Sequence, residues 1–119
     1  MIEASCHCGD VRLWIAHAPS EVTDCNCSLC RRYGALWAYY TLGEVDVAVG
    51  SGETDIYMWG DRSNRFHRCR TCGCVTHWSA VDQSRNRMGV NARLLPFEVL
   101  VQARVRRLDG AVTWTYLDE

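Results

Sequence analysis

Cysteine carries the chemistry of this chain. Its eight cysteines fall into three tight clusters: Cys6 and Cys8, then Cys25, Cys27 and Cys30, then Cys69, Cys72 and Cys74. Neighbours spaced as C-x-C or C-x-x-C bring their sulfurs close together, which suits two thiolates on one zinc and strains a disulfide between the same two residues. The clusters therefore read as metal sites. The rival reading, a secreted disulfide scaffold, predicts a leader and half-cystines spread along the chain. The opening Met1-Ile2-Glu3-Ala4-Ser5 is too short and too polar for the apolar core of a leader. A reducing, cytoplasmic setting is the expectation.

The spacing also suggests how the clusters divide. Cys69-Arg70-Thr71-Cys72-Gly73 has the form of a zinc knuckle, a tight turn that brings both sulfurs to one side, with a glycine that tolerates positive φ. Cys6-His7-Cys8-Gly9 is a shorter chelate ending in the same way. Together Cys6, Cys8, Cys69 and Cys72 make a closed four-thiolate site across a loop of about 60 residues, whose metal would stabilise the fold directly. That leaves Cys25, Cys27 and Cys30, three thiolates with one open position, the arrangement of a reactive zinc. Three thiolates on a divalent ion leave net charge −1, a poor setting for making hydroxide and a good one for holding a fourth, exchangeable thiol as thiolate. The expectation is two zinc ions per chain, one structural and one catalytic. Cys74 is open to three readings: a buried structural thiol, a fourth ligand of the second site, or a redox partner for a displaced ligand.

Short strands must position these clusters. Val11, Leu13 and Ile15 alternate with polar neighbours in Val11–His17, and Val45–Val49 alternates before the Gly50-Ser51-Gly52 turn. Leu36–Thr41, Thr54–Trp59, Arg65–Arg68, Val75–Trp78, Arg87–Asn91 and Arg104–Leu108 fit further strands, with glycines and aspartates as punctuation. Helical periodicity is weak, and a single turn through Arg31-Arg32-Tyr33 is all it predicts. The fold class is mainly β, short antiparallel strands pinned by zinc, in a single domain over residues 1–119.

Composition excludes other classes. Net charge −1 and a pI near 6.4 argue against general nucleic-acid binding, which needs basic side chains to displace counterions. No apolar run approaches the roughly 20 residues of a membrane span. All thirteen basic residues are arginine, from which no function follows.

At its cysteines the chain resembles the family of glutathione-dependent formaldehyde-activating enzymes, which includes centromere protein V. The matching motifs are Ser5-Cys6-His7-Cys8-Gly9, Cys25-Asn26-Cys27-Ser28-Leu29-Cys30-Arg31-Arg32 followed by Gly34, and Cys69-Arg70-Thr71-Cys72-Gly73, within residues 4–95. The resemblance implies a β-tent fold, a structural zinc shared by the outer clusters and a catalytic zinc on the middle one. It also implies a carbon–sulfur lyase associated with S-hydroxymethylglutathione, with glutathione and a small aldehyde as partners. Two positions depart from the family's pattern: Arg68 stands where an aromatic residue usually precedes the third cluster, and Ser5 where glycine is frequent.

The mechanism this suggests holds a thiol such as glutathione at the Cys25, Cys27, Cys30 zinc while its sulfur adds to an aldehyde carbonyl. Arg31 and Arg32 are candidates for a ligand carboxylate through forked hydrogen bonds, against the plainer reading of solvated surface charges. Trp37, Tyr39 and Tyr40 are candidates for a pocket wall, against a place in the core. His7, His17, His67 and His77 lack partners at metal spacing and read as structural. Two readings of other classes stand beside the enzyme: a zinc-built binding or carrier module with both metals structural, and a redox sensor whose middle cluster releases zinc on oxidation.

Overall fold

The computed structural model describes residues 1–117. Its strands are β1 (Ile2–Ser5), β2 (Val11–Ile15), β3 (Glu21–Cys25), β4 (Trp37–Tyr40), β5 (Val45–Val49), β6 (Asp55–Tyr57), β7 (Asn64–Arg68), β8 (Val75–Ala80), β9 (Met88–Asn91) and β10 (Arg104–Leu108). Two single-turn helices join them, α1 (Cys30–Tyr33) and α2 (Phe97–Leu100). The strands form a small sheet in the order β1-β2-β5 and a large one in the order β10-β3-β4-β9-β8-β7-β6. The chain is mainly β, as its short alternating segments predict.

The alternation has the expected consequence in β2, where Val11, Leu13 and Ile15 are fully buried and Arg12 is exposed. These side chains pack the small sheet onto one face of the large one, together with Ala4, Val22, Ala38, Tyr40, Met88 and Val90. Strand β4 shows how the large sheet serves two purposes. Successive side chains point to opposite faces, so Ala38 and Tyr40 join this first core while Trp37 and Tyr39 join a second with Phe66, Trp78 and the middle cysteines. One face of the sheet is scaffold and the other is site.

The structure departs from the sequence reading in four places. Strands β1 and β3 were not expected. Ile2–Ser5 has too few apolar residues to signal a strand, and β3 buries Thr23, whose hydroxyl bonds the Tyr116 hydroxyl at 2.8 Å. The antiparallel expectation fails at one edge, where β10 runs parallel to β3 from Arg104 beside Glu21 to Leu108 beside Cys25. Helix α2 was not expected either; it starts directly after Pro96, whose ring fixes φ at the helix entry.

Three of the four histidines have structural partners, His17 through Glu44 at 2.7 Å and the other two on the large sheet. His67 and His77 stack with ring centroids 4.1 Å apart and planes 8° from parallel. His67 bonds the hydroxyls of Thr54 and Ser79, and His77 that of Thr76. Burial, and then the charge of Arg65, brings His67 down to about 4; burial, and then His67 itself, brings His77 down to about 3. Both are neutral in the folded protein near neutral pH, and the unfolded chain binds more protons between pH 6.5 and 4. Their contribution is complete above pH 6.5 and is lost as the pH falls through that window. Melting temperature is expected to fall by several degrees from pH 6.5 to 4.5, and His77→Gln should flatten that slope. Parallel slopes in the two proteins would refute the assignment.

Candidate functional site

The two outer clusters meet through the fold. The Cys6–Cys8 turn follows β1 and the Cys69–Cys72 turn follows β7, and all four Sγ atoms lie within 4.8 Å of one another. Cys8 Sγ is 3.7 Å from that of Cys6 and 3.6 Å from that of Cys69, 61 residues along the chain. A tetrahedral zinc with bonds of about 2.3 Å has its sulfurs about 3.8 Å apart. The donor set and its spacing therefore fit zinc.

Backbone geometry prepares this site. Gly9 and Gly73 take φ of 83° and 80°, the left-handed conformation that closes each knuckle, and their N–H groups bond the carbonyls of Cys6 and Cys69. Backbone N–H groups also point at the sulfurs: Val11 N at Cys6 Sγ (3.3 Å), Thr71 N and Cys72 N at Cys69 Sγ (3.4 and 3.5 Å). Such donors favour thiolate over thiol. Cys72 is drawn down to about 5, first by the N–H of Cys74 and then by that of Cys8.

Cys74 lies with this site, packed half-buried against the first core. It does not complete the middle cluster, so the second of its three readings fails. Its N- and C-terminal neighbours explain the placement: Cys69 N bonds the Cys74 carbonyl, and β8 begins one residue later.

The middle cluster is built from the end of β3 and the start of α1. Cys25, Cys27 and Cys30 have their sulfurs within 4.8 Å of one another, all three are buried, and no other metal-ligating side chain among the described residues joins them. Cys30 N donates to Cys27 Sγ and Trp37 Nε1 to Cys30 Sγ, each at 3.3 Å. Cys25 is drawn down to about 6, first by the Cys30 thiol and against burial, helped by the N–H groups of Cys27 and Gly110; Cys30 is pushed up, first by Cys25 and then by burial. Three buried sulfurs cannot all ionise without compensating charge, and a thiophilic divalent cation supplies it. This donor set also fits zinc, with a side left open.

That side faces a cavity of about 620 Å³. Trp37, Tyr39, Phe66, Trp78, Trp59, Trp114 and Tyr116 form its aromatic wall. At its mouth stand Arg85 and Arg87, from the turn between β8 and β9. The Arg87 guanidinium lies 4.3 Å over the Tyr39 ring, and that of Arg85 lies 5.7 Å from the Trp78 ring and bonds Asn64 Oδ1 at 2.8 Å. Stacking of this kind leaves the edge of a guanidinium available to an anion.

The expected wall residues Trp37 and Tyr39 are therefore in place. Tyr40 lies on the opposite face, its hydroxyl donating to the His17 carbonyl at 3.0 Å. Arg31 and Arg32 sit on the exposed side of α1, outside the cavity lining, and Arg32 Nη1 donates to the Ser28 carbonyl. Arg85, Arg87, Phe66, Trp78 and Trp114 were missed, because strand pairing across the sheet brings them to the cysteines and no local motif marks them.

Two comparisons bear on this arrangement. A family model described as glutathione-dependent formaldehyde-activating enzyme matches residues 1–103. The chain belongs to this family. Membership ties it to glutathione- and formaldehyde-related activity. A crystal structure of a Rhodobacter sphaeroides protein is similar at 29% identity and a TM-score of 0.71, covering 87% of this chain and 99% of that one. No curated protein matches. Both cysteine groups, β1 to β9 and α2 fall inside the family match, whereas β10 and the segment after it lie beyond residue 103. Among the described residues no helix is long and apolar enough to cross a membrane.

Proposed function

We propose that this member of the family is a zinc-dependent carbon–sulfur lyase acting on a thiol adduct such as S-hydroxymethylglutathione. The observation that carries the reading is the buried three-sulfur cluster opening onto a cavity large enough for a tripeptide thiol. Cys25, Cys27 and Cys30 would hold the zinc, which would supply an open coordination position able to keep an incoming thiol deprotonated. Cys6, Cys8, Cys69 and Cys72 would hold a second zinc in a structural role, as a closed set of four thiolates implies.

The protein's own residues do the rest. Trp37 and the Cys30 N–H fix the cluster's sulfurs, Phe66 and Trp37 exclude water on one side, and Arg85 and Arg87 receive ligand carboxylates. The carboxylate role that the sequence suggests for Arg31 and Arg32 passes in this proposal to the cavity arginines. In the forward direction the thiolate sulfur forms a bond to the aldehyde carbon, the C=O π bond opens, and the proton given up by the thiol ends on the new hydroxyl. The reverse reaction breaks that carbon–sulfur bond and returns thiol and aldehyde. Eight free cysteines fit a reducing, cytoplasmic setting.

Exchange spectroscopy of glutathione with formaldehyde tests the proposal. Wild-type protein is expected to raise the exchange rate above the protein-free rate, with two zinc ions per chain by elemental analysis. No acceleration with both sites filled would favour a zinc-built binding module instead. Zinc release with a new disulfide among the middle cysteines after mild peroxide would favour the redox sensor.

A further inference from the structure

The segment beyond the family match is part of the site. Strand β10 aligns with β3 so that Leu108 lies beside Cys25, and the chain then turns back over the middle cluster to a bridge between Leu108 and Tyr116. Asn26, the residue between Cys25 and Cys27, latches this hairpin with its whole side chain. Its Nδ2 donates to Asp109 Oδ1 at 3.1 Å and its Oδ1 accepts from Ala111 N at 3.0 Å. Between those two anchors Gly110 lies directly on the cluster. A Cβ at that position would come within 2.5 Å of Cys25 Sγ and 3.4 Å of Trp114, so only glycine allows the approach.

Trp114 is the outer end of this device. It has φ of 57°, a left-handed conformation unfavourable for a bulky side chain, and the Asp109 carbonyl holds it there by accepting from Trp114 N at 2.7 Å. Asp109 also braces the turn by accepting from Thr113 N and Oγ1. The result is an indole, 68% exposed, set beside the cysteines as a wall of the cavity. Four of the chain's five tryptophans line that cavity, as they would if its occupant had a large apolar surface. A hydroxymethyl group has almost none. The cavity's cations stack on other rings, Arg87 on Tyr39 and Arg85 near Trp78.

We infer that the C-terminal hairpin, latched by Asn26, makes the site select thiol adducts whose electrophile carries a ring-sized apolar substituent, with Trp114 as the specificity-determining residue. The inference rests on the thiol-adduct reading and narrows the aldehyde to an aromatic or comparably bulky one. Stable mimics of the two adduct types test it by calorimetry on the zinc-loaded protein: S-benzylglutathione for an aromatic adduct and S-methylglutathione for the formaldehyde one.

Wild type should bind the benzyl compound about tenfold more tightly, and Trp114→Ala should remove that preference by lowering the benzyl compound's affinity far more than the methyl compound's. Trp114→Phe should restore part of it. Val112→Ala, in the same turn but outside the cavity wall, should leave both affinities as they are. Equal affinities in wild type, or a preference that survives Trp114→Ala, would overturn the inference and leave the thiol-adduct reading standing. Binding of neither compound would overturn both.

Discussion

Cys69→Ser is expected to leave the chain unfolded at 37 °C. Cys69 is 1% exposed, its sulfur accepts two backbone N–H groups, and it joins the knuckle after β7 to the turn after β1. A four-thiolate zinc contributes about 10 kcal/mol or more to folding, comparable with the whole stability of a typical domain, about 5–15 kcal/mol. Serine binds zinc far less well, and its buried hydroxyl has no cation to meet. Without the clamp the small sheet is held to the large one only by the contacts of Val11, Leu13, Ile15 and their neighbours. Loss of the cooperative melting transition, with zinc falling well below two per chain, is the expected result. A variant that melts within a few degrees of wild type would show that the apolar core suffices and that the clamp is not structural.

The same argument explains why so much of the site is legible in the sequence. Thiolate chelation is local within a knuckle, so C-x-C-G and C-x-x-C-G report their own geometry, and the structure gives both knuckle glycines positive φ. Counting ligands then pairs the outer clusters across 61 residues with no knowledge of the path between them. Alternation in Val11–Ile15 is equally local. What escapes is whatever depends on a partner strand. The apolar signal of β3 is diluted by Thr23, whose hydroxyl bonds that of Tyr116 from the other end of the chain. The parallel pairing of β10 has no short-range signature at all.

The arginines illustrate this limit. Arg31 and Arg32 draw attention because they follow Cys30, yet a helical turn that buries Cys30 carries its next two residues outward. Arg85 and Arg87 reach the cavity because Tyr39 pairs with Gly89 and Trp78 with the same glycine, so the turn before β9 arrives at the aromatic wall. Asp82 caps the 3₁₀ turn Gln83–Arg85, and Asn86 Oδ1 accepts from Leu42 N at 3.1 Å, fixing that turn to the segment after β4. Each bond is ordinary; the placement comes from their combination. The hairpin over Cys25 follows the same logic, since Asn26 reads as a spacer in the motif until Asp109 and Ala111 are brought to its amide.

Cys27→Ser, in contrast to the change at Cys69, is expected to abolish the acceleration of glutathione–formaldehyde exchange while leaving the protein folded. Cys27 belongs to the second core, apart from the clamp, and its sulfur accepts from Cys30 N, a bond that a serine hydroxyl can also accept. The cost to folding is therefore limited to about 1–3 kcal/mol from a poorly matched buried polar group. The cost to the site is larger. Two thiolates cannot fill the coordination that three provide, and supporting residues alone are worth about 10–100-fold in metal affinity, so losing a direct ligand should exceed that. Zinc should fall from two to one per chain, with a cooperative melt retained and exchange returned to the protein-free rate. If exchange persists at the wild-type rate with one zinc per chain, the middle cluster is not where the thiol is activated. If the melt is lost as well, the two clusters share a structural role that their separate cores do not suggest.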